Sequence, residues 1–145
     1  MRIAVVVSQF NAFVTSRLRD GALAQLREAG IDADGVRVFD VPGAFEVPQL
    51  ARRLADTGDY DGIVCLGCLI RGATPHFDYI ASAVAHGITH AALESGVPMS
   101  FGVLTTNTVE EALERAVEGP SNKGREAAQA VVEMVRLYEE WRAKP

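Results

Sequence analysis

The stretch LGCLIRGATPHFDYI, Leu66 to Ile80, decides the fold. It opens as an apolar run, breaks at Gly72-Ala73-Thr74-Pro75, and resumes with helical spacing. A strand that feeds a helix through a short turn is the repeating unit of a parallel sheet, because parallel neighbours need a long crossover that a helix supplies. The same unit recurs on both sides of this stretch. RIAVVVS (2–8) is a continuous β-branched run, as expected of a strand buried on both faces. Val14, Leu18, Ala22, Leu26 and Ala29 then follow helical spacing, with Asn11 or Thr15 as cap and Gly30 as terminator. VRVFDV (36–41) leads through Pro42-Gly43 into a helix of Val47, Leu50, Ala51 and Leu54, with Pro48 in its first turn.

GIVCLGCLI (62–70) is the third strand, and its helix carries Ile80, Val84, Ile88 and Ala91 on one face until Gly96. PMSFGVLTT (98–106) is the fourth strand. Thr108 and Glu111 form a capping box ahead of Val109, Ala112, Leu113 and Ala116. GPSNKG (119–124) opens a last helix with Ala128, Val131, Val135 and Tyr138 inward, and the tail YEEWRAK is expected to be exposed and ragged. Four strands alternating with helices predict a three-layer α/β/α sandwich around a four-stranded parallel sheet. With no repeat, low-complexity tract or linker, residues 1–145 read as a single domain.

Composition narrows the function. Apolar residues make up 48% of the 145, enough for a core. A net charge of −5 and a pI near 5.2 argue against a nucleic-acid or anionic-membrane binder, both of which need a basic field. No apolar run reaches the roughly 20 residues that span a bilayer. MRIAVVVSQF carries neither the h-region nor the cleavage site of a signal peptide, so a cytoplasmic chain is expected. Cys65 and Cys68 form a C-x-x-C inside a strand, where a separation of three puts them on opposite faces roughly 10 Å apart. That geometry suits neither a disulfide nor a shared metal, and both read as small buried hydrophobes.

In open parallel sheets, ligands bind beyond the carboxyl ends of the strands. Those ends here carry Gln9-Phe10-Asn11, Gly43-Ala44-Phe45-Glu46, Arg71 to His76, and Thr105-Thr106-Asn107. Rings, carboxamides, a carboxylate and a glycine turn converging on one edge are a pocket composition. Thr74 is placed to cap the third helix, Pro75 to begin it, and His76 to fall in its first turn. The amides around Ala73 and Thr74 would then point outward at the positive end of the dipole, which suits a phosphate. The same dipole favours a neutral ring at His76, the state a general base requires. Spacing alone does not separate this reading from a plain tight helix entry with an exposed histidine.

His86 and His90 lie four apart without the glutamate of a metalloprotease motif, opposite the apolar stripe of their helix, so a solvent or subunit-contact face is expected. Arg115 complements the negative end of the short fourth helix. Lys123 stands where the dipole disfavours a cation, which hints at an anion nearby. Phe10 and Phe101 fit either core or pocket, and Arg71 has no assigned role.

FN after strand one, GAFE after strand two, IRGATPHFDYI after strand three, FGVLTT with strand four, then ERA and NKG occur in an order that closely resembles the 6,7-dimethyl-8-ribityllumazine synthase family. The resemblance covers nearly the whole chain, and GATPHFDY is a long, specific motif. It implies a flavodoxin-like fold and the penultimate step of riboflavin biosynthesis. In that transferase step, 5-amino-6-(D-ribitylamino)uracil condenses with 3,4-dihydroxy-2-butanone 4-phosphate to give the lumazine, phosphate and water. It implies that Phe10 stacks on the pyrimidine, with Asn11 a weaker candidate beside it. Ala44, Phe45 and Glu46 would hold the ribityl chain, and the backbone of Cys68, Leu69 and Ile70 would read the ring's polar edge. Ala73, Thr74 and Arg115 would bind the phosphate, with His76 as the proton-transfer residue. Phe101, Arg115 and Lys123 would come from a neighbouring subunit of a homo-oligomer built from pentamers, whether decamers or a sixty-subunit shell. No cofactor and no metal is implied.

Two departures from that family stand out. Its members carry a further segment before the first strand, forming an extra strand that pairs with the next subunit's sheet. This chain opens almost at the first strand, so the expectation is an altered assembly or an edge covered otherwise. The loop VEGPSNKG also lacks a basic residue and a glycine that are common ahead of NKG. The competing reading is a non-catalytic flavin- or lumazine-binding carrier or shell protein on the same fold. A related enzyme that dismutates lumazine to riboflavin is a third. His76, Thr74 and Arg115 weigh against the carrier, which needs no phosphate site, and the full GATPHFDY segment weighs against the dismutase.

Overall fold

The structure, a computed structural model, describes residues 1–144. Strand β1 (Ile3–Ser8) is buried at every position, as its unbroken apolar run requires. It is followed by α1 (Ala12–Glu28), a short 3-10 turn, and β2 (Val36–Val41). A second 3-10 turn over Ala44–Glu46 runs directly into α2 (Val47–Asp56), which carries Pro48 in its first turn. Then come β3 (Gly62–Ile70), α3 (His76–Ser95), β4 (Met99–Thr106), α4 (Val109–Arg115) and α5 (Lys123–Ala143). The strands form one all-parallel sheet in the order β2-β1-β3-β4. The fold is the flavodoxin-like three-layer sandwich that the alternation of elements predicts.

Because side chains alternate across a strand, the sheet sorts its apolar residues into two cores. Ile3, Val5 and Val7 of β1 with Val64, Leu66 and Cys68 of β3 pack under α1, α4 and α5. Ala4 and Val6 with Ile63, Cys65 and Leu69 pack under α2 and α3. The two cysteines therefore fall in different cores, as their spacing predicts. Burial pushes the Cys65 thiol up to about 12 and Cys68 to about 11, so neither is a ready thiolate. β2 and β4 are the sheet's two edges.

Three helix starts differ from expectation in how they are capped. Thr108 Oγ1 accepts from the Glu111 amide at 3.1 Å, and the Glu111 carboxylate accepts from the Asn107 amide at 3.1 Å, so the capping box forms one residue wide of its usual return bond. At α3 the cap is Pro75, with no side-chain bond, and His76 is the first helical residue. Thr74 does not cap. Residues 71–75 instead form an irregular turn, because Pro75 disfavours a helical conformation at Thr74. Asn11 does occupy the cap position of α1, but in the left-handed conformation (φ 62°) and with no side-chain cap bond. The tail is helical to Ala143, with Trp141 exposed.

Asn122 stands out at the start of α5. Its side chain is 1% exposed, and its oxygen accepts from the amides of Gly124 and Arg125. Its amide nitrogen reaches the carbonyls of Arg17, Ala116 and Val117. One buried carboxamide thus caps α5 and ties it to α1 and to the end of α4. A buried amide left without these partners would cost on the order of 1–3 kcal/mol.

Candidate active site

Strand order reverses between β1 and β3, and the residues just past their carboxyl ends face one another there. The Asn11 carboxamide donates to the Cys68 carbonyl at 2.9 Å, joining the end of β1 to the end of β3. Its amide is thus spent on the backbone that the sequence singled out at Cys68, Leu69 and Ile70. Phe10, next to it, is 67% exposed, so its ring is a platform and not core.

Phe10 opens onto a cleft of about 430 Å³, in the size range of small-molecule sites. Gly43, Ala44, Phe45 and Glu46 supply one wall, from the 3-10 turn after β2. Leu69 and Ile70 supply the floor, and Gly72, Thr74, His76, Phe77 and Ile80 the other wall. Of the residues named from sequence for this region, Phe10, Ala44, Phe45, Glu46, Leu69, Ile70, Thr74 and His76 therefore line one cavity. The sequence places Ile80 only on the apolar face of the helix and gives Phe77 no role, although both follow His76 in the helix and line the cleft. Ala44 is buried, while Phe45 is 52% exposed and projects outward.

Arg71 to His76 are all exposed, and the amides of Ala73, Thr74 and His76 make no hydrogen bond to another described residue. The first bonded amides beyond the turn are those of Asp78 and Tyr79, which donate to the Pro75 carbonyl. The turn thus presents open N–H groups at the positive end of a 20-residue helix, with an imidazole beside them. Donors in this array can hold an anion while the ring moves a proton.

A family comparison settles what kind of chain carries this cleft. The family model of 6,7-dimethyl-8-ribityllumazine synthase matches residues 1–139. The chain belongs to the 6,7-dimethyl-8-ribityllumazine synthase family. It is accordingly a transferase-type enzyme of riboflavin biosynthesis that works on small molecules. No helix among the described residues is long and apolar enough to cross a membrane.

Phe101, Arg115 and Lys123 do not join the cleft. They line a separate groove of about 510 Å³ along the outer edge of β4, which shares no residue with the first. The carbonyls of Pro98 and Thr106 accept from the amides of Ile63 in β3 and Arg71 just past it, so strand alternation turns the backbone of Met99, Phe101, Val103 and Thr105 outward to this edge. Phe101 is 47% exposed there. Arg115 donates to the Glu111 carbonyl at 3.0 Å, the helix-end contact its position predicts. Lys123 finds its anion on its own helix, Glu126, at 2.7 Å. His86 and His90 do not converge: one ring meets Ser82 at 3.3 Å, the other Glu94 at 2.9 Å.

Proposed function

We propose that the chain, acting as a single cytoplasmic domain, condenses 5-amino-6-(D-ribitylamino)uracil with 3,4-dihydroxy-2-butanone 4-phosphate. The products are 6,7-dimethyl-8-ribityllumazine, inorganic phosphate and two waters, in the penultimate step of riboflavin biosynthesis. The observation that carries this reading is the open-amide turn with His76 beside it, set in the same cleft as Phe10 and Glu46.

In this reading Phe10 stacks on the pyrimidine, and the Glu46 carboxylate accepts from ribityl hydroxyls beside Ala44 and Phe45. The backbone of Cys68, Leu69 and Ile70 reads the ring's polar edge, while Asn11 holds that backbone in register. Ala73 and Thr74 take the phosphate. The 5-amino nitrogen attacks the ketone, and loss of water leaves an imine. A proton then leaves the neighbouring carbon as the phosphate departs, and attack of the ribitylamino nitrogen on the new carbonyl closes the ring with loss of the second water. Each stage needs protons moved between nitrogen, carbon and oxygen, which His76 supplies from the edge of the turn. Holding two substrates together contributes much of the acceleration, since positioning alone is worth several kcal/mol.

Phe101, Arg115 and Lys123 complete the site from a neighbouring subunit, with a pentamer as the working unit. The separation of the two grooves in one chain supports this, because neither groove alone holds the whole residue set.

Mixing the purified protein with both substrates and following lumazine absorbance tests the reading. His76→Ala is expected to slow formation by about 10²–10⁴-fold if proton transfer limits, and less where positioning dominates, with the fold retained. A rate equal to wild type would remove His76 from the mechanism. Ligand binding without turnover in wild type would favour the carrier.

A further inference from the structure

Arg71 anchors the turn at both ends. Its amide donates to the Thr106 carbonyl at 2.8 Å, at the carboxyl end of β4. Its Nε donates to Asn107 Oδ1 at 3.0 Å, one residue further on. The other side of the guanidinium meets both carboxylate oxygens of Asp78 at 3.3 Å, in the first turn of α3. The guanidinium lies over the Phe77 ring, 4.6 Å from its centroid, and Phe77 is a wall of the cleft. One planar group thus links the end of β4, the start of α3 and the cleft wall. Between those anchors lie residues 72–75, and the amides of Gly72, Ala73 and Thr74 have no partners of their own. Each contact is half exposed and worth little alone, as surface ion pairs and cation–π pairs are. Together they constrain a segment that no regular structure holds.

We infer that Arg71 is the positioning residue of the phosphate turn: it fixes the open amides of residues 72–74 by bridging Asn107 to Asp78 over Phe77, without touching the substrate. The inference rests on reading that turn as the phosphate subsite. Three of the guanidinium's five N–H donors already face Asn107 and Asp78, and its charge is paired with the Asp78 carboxylate, so the group is placed to order the turn and not to serve as a free cation. The bridge needs a planar, forked group that also stacks, which lysine cannot replace.

The experiment compares wild type with Arg71→Gln, Arg71→Lys, Asn107→Ala and the Arg71→Gln/Asn107→Ala double variant. Asn107→Ala changes no charge and leaves the arginine in place. The readouts are the KM for each substrate, the Ki of inorganic phosphate, and hydrogen exchange at the bonded amides of residues 71, 78 and 79. A positioning role gives a rise of about tenfold or more in phosphate-substrate KM and phosphate Ki in Arg71→Gln and Arg71→Lys. Asn107→Ala shifts both the same way, the double variant is no worse than Arg71→Gln, and the pyrimidine KM moves little. Exchange at 71, 78 and 79 accelerates, while protection within β3 is unchanged. Unchanged exchange at those amides overturns the inference. So does a KM rise that Arg71→Lys rescues or Asn107→Ala fails to reproduce, which is the pattern of a direct phosphate ligand. Wild type that forms no lumazine defeats the functional reading instead, and the exchange data still decide whether Arg71 orders the turn.

Discussion

A methyl group on Gly72 would meet no atom within 4 Å, and its φ lies outside the left-handed region. The chain itself therefore does not require glycine there, although the residue lines the cleft beside Thr74 and His76. Glycine is then needed for what approaches from outside. Gly72→Ala is expected to be as stable as wild type or more so, by up to about 1 kcal/mol, because it restricts the unfolded chain. It should raise the KM of the phosphate substrate by roughly tenfold, or about 1.4 kcal/mol. Urea unfolding and steady-state kinetics check the two halves separately; a loss of stability would make Gly72 a turn residue. Legibility at this scale follows chemistry. Phe10, Glu46 and His76 are readable as strand-end residues that converge on one edge, although spacing alone leaves Phe10 between core and pocket and His76 between a site and a plain helix entry. The contacts of Arg71 and Asn11 are not, because their partners Asn107, Asp78 and the Cys68 carbonyl lie on other elements or across a turn. A single sequence shows a donor but not the acceptor that folding brings to it.

The elements were the most legible part, since periods of two and 3.6 survive in any buried strand or helix. Their ends were less so: Pro75 displaced the start of α3 past Thr74, and Asn11 took a left-handed conformation, which asparagine tolerates better than most residues but which helical spacing does not show. Helix pairing was hidden altogether. A methyl group on Gly124 would collide with the Leu18 carbonyl, so α5 crosses α1 at close backbone contact, with Asn122 filling the joint. Beside that crossing, the Arg125 guanidinium forks onto both Glu28 oxygens at 2.8 and 3.1 Å and also meets Gln25. The guanidinium holds the Glu28 carboxyl below the usual carboxylate range. A folded pKa depressed below the unfolded value stabilises the protein above the ordinary carboxylate pKa of about 4.3, and that stability is lost as pH falls through the folded value. Glu28→Gln should therefore melt below wild type at pH 7, with the gap closing as pH falls below about 4. Melting curves at equal protein concentration across that range test this. A gap that persists in acid would mean the clamp acts through packing and not charge.

At the scale of the molecule, the residue set of the proposed reaction is divided. Phe10, Glu46, Thr74 and His76 line the cleft past β1 and β3, whereas Phe101, Arg115 and Lys123 line the groove on the outer edge of β4. Pattern alone could name both groups but not separate them, because a sequence carries no information on which strand lies at the edge until the order β2-β1-β3-β4 is known. An edge strand with outward backbone and a half-exposed phenylalanine is also a surface that invites a neighbour. If the site forms where one subunit's cleft meets the next subunit's edge, two defective chains can repair each other. His76→Ala spoils the cleft and leaves the edge; Arg115→Ala spoils the edge and leaves the cleft. Each homo-oligomer should be weak in lumazine formation. In a ring assembled from equal amounts of both, about a quarter of the sites pair an intact cleft with an intact edge, because each half is intact in half the subunits. Co-expression of the two variants, followed by assay of the mixed oligomer, should thus recover roughly a quarter of wild-type activity. Mixing the two purified homo-oligomers without subunit exchange should recover none. Activity that never rises above the average of the two parents would place the complete site within one chain. Arg115 would then have to reach the turn at Ala73 and Thr74 by a rearrangement of α4, abandoning its bond to the Glu111 carbonyl.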